Sequence, residues 1–193
     1  MKKLLFIAVL AVTYFTANAQ DFKPVKVGLG LGYASPAGEG SKVGVLIYLE
    51  PAYRIKDEIL VGLRIESALM GRSVDGVDSD VSISANGSYS LFGQYYFSNS
   101  NFRPFAGLGF GLFSLGSVEL GSDSGEVSGG SKIGAFPRVG FNLGGFNFSI
   151  DYNLIPSTES VLFDENNPLG TESEVKNNYL GVRLGFSLGG GKK

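Results

Sequence analysis

The side chains with the most chemical potential in this sequence are nine charged residues set inside otherwise apolar, glycine-rich stretches: Lys26, Glu50, Arg54, Arg64, Glu66, Lys132, Arg138, Asp151 and Arg183. Three uses are open to them. Two of the carboxylates could serve as general acid and base, which in glycoside chemistry requires a separation of about 5–10 Å and an open cleft. The arginines and acids could instead form a charged constriction that selects solutes. They could also pair with one another, since charges removed from water need partners.

A second set of candidates lies between those stretches. Asp75, Asp78, Asp80, Glu119, Asp123, Glu126, Asp164, Glu165, Glu172 and Glu174, together with Glu39 and Glu159, face only Lys42, Arg72 and Lys176 as nearby bases. Asp75-x-x-Asp78-x-Asp80 gathers oxygen ligands but lacks the D-x-[DN]-x-[DN]-G order of a calcium loop, so no metal site is assigned. These acids read as solvated loop tips that repel one another. A cation-bridged contact with an anionic surface is the alternative. The runs Gly28-x-Gly-x-Gly and Gly107-x-Gly-x-Gly lack both the G-x-G-x-x-G spacing and the following helix of a dinucleotide site, so no cofactor is expected.

Composition narrows the chemistry further. The 193 residues include no Cys, His or Trp, but 29 Gly, 15 Phe and 9 Tyr, at a formal net charge of −2. Disulfides, zinc fingers, haem or iron–sulfur ligation and an imidazole base are thereby excluded. No catalytic residue is assigned, and no nucleic-acid partner is expected.

The elements that must position the nine charges repeat with period two. Val25 to Tyr33 places large apolar residues on odd positions and small or charged ones on even positions, which is a strand pattern. Seven further segments do the same: Val43 to Arg54, Ile59 to Met70, Val81 to Phe97, Phe105 to Leu115, Lys132 to Leu143, Phe146 to Ile155 and Asn178 to Leu188. Lys56-Asp57-Glu58, Ser98 to Asn101 and Gly144-Gly145 predict tight turns. Ser35 to Lys42, Gly71 to Asp80, Gly116 to Ser131 and Pro156 to Asn177 predict long loops. An even number of strands, with short turns on one rim and long loops on the other, predicts an all-β, eight-stranded antiparallel up-and-down transmembrane β-barrel.

Volume decides which face points outward. An eight-stranded barrel has an interior just wide enough for side chains to fill, so the large apolar set must face out, into lipid. The charges then face the lumen, because on the lipid side each basic group would cost about 2–4 kcal/mol at mid-depth. Among them stands a glycine stripe that includes Gly28, Gly30, Gly62, Gly109, Gly140 and Gly185, whose missing side chains make room for neighbours. Tyr33 on one rim and Tyr53, Tyr95, Phe97, Phe146 and Phe148 on the other predict two aromatic girdles.

The N-terminal residues Met1-Lys2-Lys3, the apolar run Leu4 to Val12 and Ala17-Asn18-Ala19 have the layout of a secretory signal peptide. The expected division is a signal peptide at 1–19 and a barrel domain at 20–193, with export to the bacterial outer membrane. Cleavage removes Lys2 and Lys3 and takes the formal charge from −2 to −4.

Tyr95-Tyr96-Phe97, the run Arg103-Pro104-Phe105-Ala106-Gly107-Leu108-Gly109-Phe110-Gly111 and the closing segment Tyr179 to Leu188 carry a resemblance. They resemble the small eight-stranded outer-membrane barrels of Gram-negative bacteria, the family of the OmpA membrane domain, OmpX-like proteins and the porin-like barrels of Bacteroidetes. The resemblance implies a monomer held by outer-membrane lipid and lipopolysaccharide and inserted by the barrel-assembly machinery. Phe186 is the aromatic residue nearest the position which that machinery reads. Enzymatic small barrels use histidine, so a non-enzymatic structural or surface-contact role through the acidic loops is expected. A narrow conduit for small solutes is the alternative.

Overall fold

Strict alternation of large apolar with small or charged residues gives each segment two faces of opposite character, and antiparallel pairing buries one of them. In the computed structural model, which describes residues 22–37, 41–73, 81–118, 130–164 and 167–192, this produces ten strands and no helix among the described residues. They are β1 (Phe22–Pro36), β2 (Ser41–Arg54), β3 (Ile59–Ser73), β4 (Val81–Tyr96), β5 (Phe102–Val118), β6 (Gly130–Leu143), β7 (Phe146–Asn153), β8 (Thr158–Asp164), β9 (Asn167–Val175) and β10 (Tyr179–Lys192). Eight of them close a barrel in the order β1-β10-β7-β6-β5-β4-β3-β2, all neighbours antiparallel. The expected segment for signal export, residues 1–19, lies outside the described residues.

The outer face is apolar over its whole circumference. Leu31, Ile47, Leu108 and Ile133 are exposed, the last at 70%. Four phenylalanines join Phe186 in a contiguous aromatic patch near the tight turns. Phe141 contacts Phe102, Phe146 and Phe148 at ring-centroid distances of 5.2, 6.3 and 5.3 Å, and Phe146 meets Phe186 at 6.0 Å. At the end of the adjoining strand β4, on the same rim, Tyr95 and Phe97 pack edge to face at 5.6 Å.

Inside, aromatic rings from one strand lie over glycines of the next. Phe92 is the register partner of Gly62, Phe136 of Gly109 and Phe105 of Gly140, and all three rings are buried. Tyr48 fills the space over two glycines at once. A Cβ added to Gly30 would stand 2.8 Å from its hydroxyl, and the partner of Gly30 across the β1–β10 ladder is Gly185, where a Cβ would press on the same oxygen. A lumen stripe of glycine therefore gives space to bulky neighbours.

The closing pair β1–β10 contains a bulge between Lys23 and Lys26, opposite Gly189 and Gly190 at φ of 80° and 73°. Positive φ is the left-handed region that glycine enters without a Cβ clash. A Cβ on Gly190 would also meet the Lys26 side chain at 2.7 Å, so the bulge sets where Lys26 enters the lumen.

Two expectations about the loop side are corrected. The barrel strands run further than the alternation suggested, β3 to Ser73 and β5 to Val118, because ladder hydrogen bonds continue through residues whose side chains show no apolar pattern. The span from Pro156 to Asn177, expected as a loop, contains the hairpin β8–β9, a two-stranded sheet of its own. β-Branched and apolar residues at Thr158, Val161, Leu162, Thr171 and Val175 supply the strand preference. Asp164, Glu172 and Glu174 thus occupy strand positions, with Glu174 opposite Glu159 and Glu172 opposite Val161. Asp75, Asp78, Asp80, Glu119, Asp123, Glu126 and Glu165 lie outside the described residues.

Candidate functional site

Lumen-facing positions are even-numbered in β1, β2, β3, β4 and β6 and odd-numbered in β5, β7 and β10, and this parity brings side chains from distant parts of the sequence into one column. At its centre, Arg64 from β3 donates from Nε to Glu50 Oε1 on β2 at 2.8 Å and pairs through Nη1 with Asp151 Oδ2 on β7 at 2.6 Å. Arg138 from β6 also pairs with Glu50, Nη1 to Oε1, at 3.1 Å. Arg183 from β10 donates to both oxygens of Glu66, at 2.6 Å from Nε and 2.8 Å from Nη2, and contacts Asp151 as well. Tyr179 adds an O–H donated to Glu66 Oε1 at 2.8 Å.

Three arginines and three carboxylates thus form a formally neutral ring that ties together β2, β3, β6, β7 and β10. All six side chains are buried. Their flat guanidinium faces use the lumen aromatics: Arg64 lies 4.4 Å above the Phe136 ring and Arg138 lies 4.6 Å above Phe92. Such stacking is stronger away from water, and it packs rings against the guanidinium faces of Arg64 and Arg138 that the carboxylates leave free.

Toward the tight turns a second cluster forms around Tyr96. Its hydroxyl oxygen accepts from Lys26 Nζ at 3.1 Å, Gln94 Nε2 at 2.6 Å and Asn142 Nδ2 at 3.2 Å. Arg54 and Arg103 lie 4.6 and 4.8 Å from the ring centroid. Both also donate to the Asp57 carbonyl oxygen, at 2.6 and 2.5 Å. Arg103 reaches further, to the Ser98 carbonyl and to Asn99 Oδ1, and so clips the 97–101 turn to the 55–58 turn across the end of the lumen.

This geometry leaves little for chemistry. Each central carboxylate is already engaged by arginine, and the cavity beside Glu50 and Lys26 measures about 10 Å³, room for about one water. Among the described residues, no group of three His, Cys, Asp or Glu side chains is placed to hold a metal.

From residue 4 to residue 187 the sequence matches the outer membrane protein beta-barrel domain family. The chain belongs to that family. Among solved structures, Neisserial surface protein A shares the fold at a TM-score of 0.57 and 17% identity, covering 85% of this chain and 96% of its own. The outer membrane protein OprG from Pseudomonas aeruginosa does so at 0.51 and 14%, covering 87% and 98%. No curated protein matches the chain by sequence. The protein is an outer-membrane barrel, and its apolar circumference is the lipid-facing wall.

Of the nine charges singled out in the sequence, this outer-membrane barrel brings six together: Glu50, Arg64, Glu66, Arg138, Asp151 and Arg183. Lys26 and Arg54 belong to the Tyr96 cluster, and Lys132 sits half-buried near the loop-side rim, where its Nζ donates to the Ser157 carbonyl. Sequence reasoning missed Arg103, which follows a turn and lies just outside the alternating segment. It also missed the lumen aromatics. Their signal was present: Phe92, Tyr96, Phe105, Phe113 and Phe136 share parity with the glycines and charges, not with the lipid-facing set.

Proposed function

We propose that this outer-membrane barrel is non-enzymatic and monomeric, and that it serves as a rigid anchor whose acidic outer loops make contacts at the cell surface. The observation that carries this reading is the filled lumen: six mutually paired charges, capped by aromatics, occupy the column a solute would need. Export through cleavage after Ala19, insertion by the barrel-assembly machinery and association with lipopolysaccharide belong to the same reading. The acidic loops supply its outward partner surface, either directly or through bridging divalent cations.

Cells carrying the intact barrel, compared with cells whose barrel has residues 74–80, 119–129 and 158–175 shortened, test it. Loop trimming is expected to weaken surface adhesion or raise detergent sensitivity while the trimmed barrel still shows heat-modifiable gel migration. Unchanged cells with a folded, trimmed barrel would contradict the reading. The conduit alternative would be favoured by discrete channel openings of the purified barrel.

A further inference from the structure

Between the central ring and the Tyr96 cluster lies a small enclosed space lined by Lys26, Gly28, Tyr48, Glu50, Gln94 and Asn147, with the apolar Ala52, Leu60 and Phe92 completing the wall. Its volume, about 10 Å³, corresponds to a single water-sized sphere. Asn147 is 6% exposed, and its Oδ1 has no hydrogen-bond partner in the protein. Its Nδ2 is committed to Asn142 Oδ1 at 2.7 Å. A buried amide oxygen left bare keeps its full desolvation penalty, and a polar cavity with two to four hydrogen-bonding neighbours is where an ordered water is retained.

The charges around the space define what fits it. Lys26 presents an ammonium and Glu50 a carboxylate, so a cation entering it meets Lys26 and an anion meets Glu50. A neutral molecule able both to donate and to accept satisfies both. We propose that this space is a specific site for one ordered water, which accepts from Lys26 and donates to Asn147 Oδ1 and Glu50. It joins the two clusters into one continuous hydrogen-bonded column from Tyr96 to Tyr179. The lumen is then sealed by a water-separated Lys26–Glu50 pair at its narrowest joint, and Gly28 is what leaves room for that water.

Crystals of the refolded barrel test the site, with wild type beside Gly28→Ala and parallel soaks in bromide and rubidium. A Cβ at Gly28 meets Glu50 Cβ at 3.7 Å and Ser187 Cβ at 3.8 Å, which are ordinary contacts, so the variant is expected to fold. Wild type should show one density peak within hydrogen-bond reach of Asn147 Oδ1 with no anomalous signal from either soak, and Gly28→Ala should lose it. Absent density in wild type, or a peak that persists unchanged in Gly28→Ala, would overturn the proposal. A bromide or rubidium anomalous peak at that position would overturn it in favour of an ion site.

Discussion

The centre of the lumen and its turn-side end hold buried cations in two different ways. At the centre, Arg64, Arg138 and Arg183 are matched by Glu50, Glu66 and Asp151, charge against charge. At the turn side, Lys26, Arg54 and Arg103 gather on one phenol ring, with neutral oxygens as their hydrogen-bond acceptors: the Tyr96 hydroxyl, the Asp57 and Ser98 carbonyls and the Asn99 amide. Position along the barrel explains the difference. The centre lies furthest from water, where an unmatched charge is most costly, whereas Arg103, at the start of β5, is half-buried with solvent nearby.

The largest effect is expected at the hub of the central ring. Asp151→Ala strips both Arg64 and Arg183 of a shared partner and should lower unfolding free energy by about 3–5 kcal/mol, read as a lower urea midpoint in refolding detergent. Glu66→Gln should cost less, because the amide oxygen still accepts from Arg183 or Tyr179. A smaller loss for Asp151→Ala than for Glu66→Gln would mean that the ring has a different hub.

At the turn side the ring and the hydroxyl of Tyr96 can be separated. Tyr96→Phe keeps the surface on which Arg54 and Arg103 stack and removes only the acceptor, at an expected cost of about 1–3 kcal/mol. Tyr96→Leu removes both and should cost more. Equal losses for the two variants would show that the stacked arginines contribute nothing, and the contrast with the centre would collapse to hydrogen bonding alone.

Steric effects come next. Gly185→Ala pushes a methyl onto the Tyr48 hydroxyl and should destabilise by about 1–3 kcal/mol, whereas Gly93→Ala, whose Cβ meets nothing within 4 Å on the lipid side, should stay within about 0.5 kcal/mol. The smallest effect is expected from the outer hairpin. Replacing residues 158–175 by a short flexible linker should leave the unfolding midpoint of the barrel unchanged, since among the described residues β8 and β9 pair only with each other. A large drop would tie that hairpin to the wall.

How much of this was legible in the sequence follows from the period of a strand. Alternation at Val25 to Tyr33 and its seven counterparts yields strand number, face assignment and the lumen position of all nine charges, because a two-residue period carries that information locally. Which charges meet is a matter of register and of strand order around the barrel. The Arg64–Asp151 and Arg183–Glu66 pairs join residues more than 80 positions apart, and no local pattern encodes that distance. The hairpin at Thr158 to Val175 was hidden for a different reason: its sequence lacks the strict alternation of large apolar with small or charged residues, so only β-propensity marked it. Arg103 was hidden because β5 begins at Phe102, ahead of the alternating run from Phe105, so its odd, lumen-side position shows only once the strand's true start is known.

The most direct test of the central claim, that paired charges and rings close this barrel, is single-channel recording of the refolded mature chain in planar bilayers, with Arg64→Ala and Arg138→Ala alongside. Heat-modifiable gel migration verifies folding of each sample. A silent bilayer for the folded wild type is the predicted result. Stable conductance steps whose size or ion preference changes with either substitution would contradict it and make the arginines the filter of an open pore.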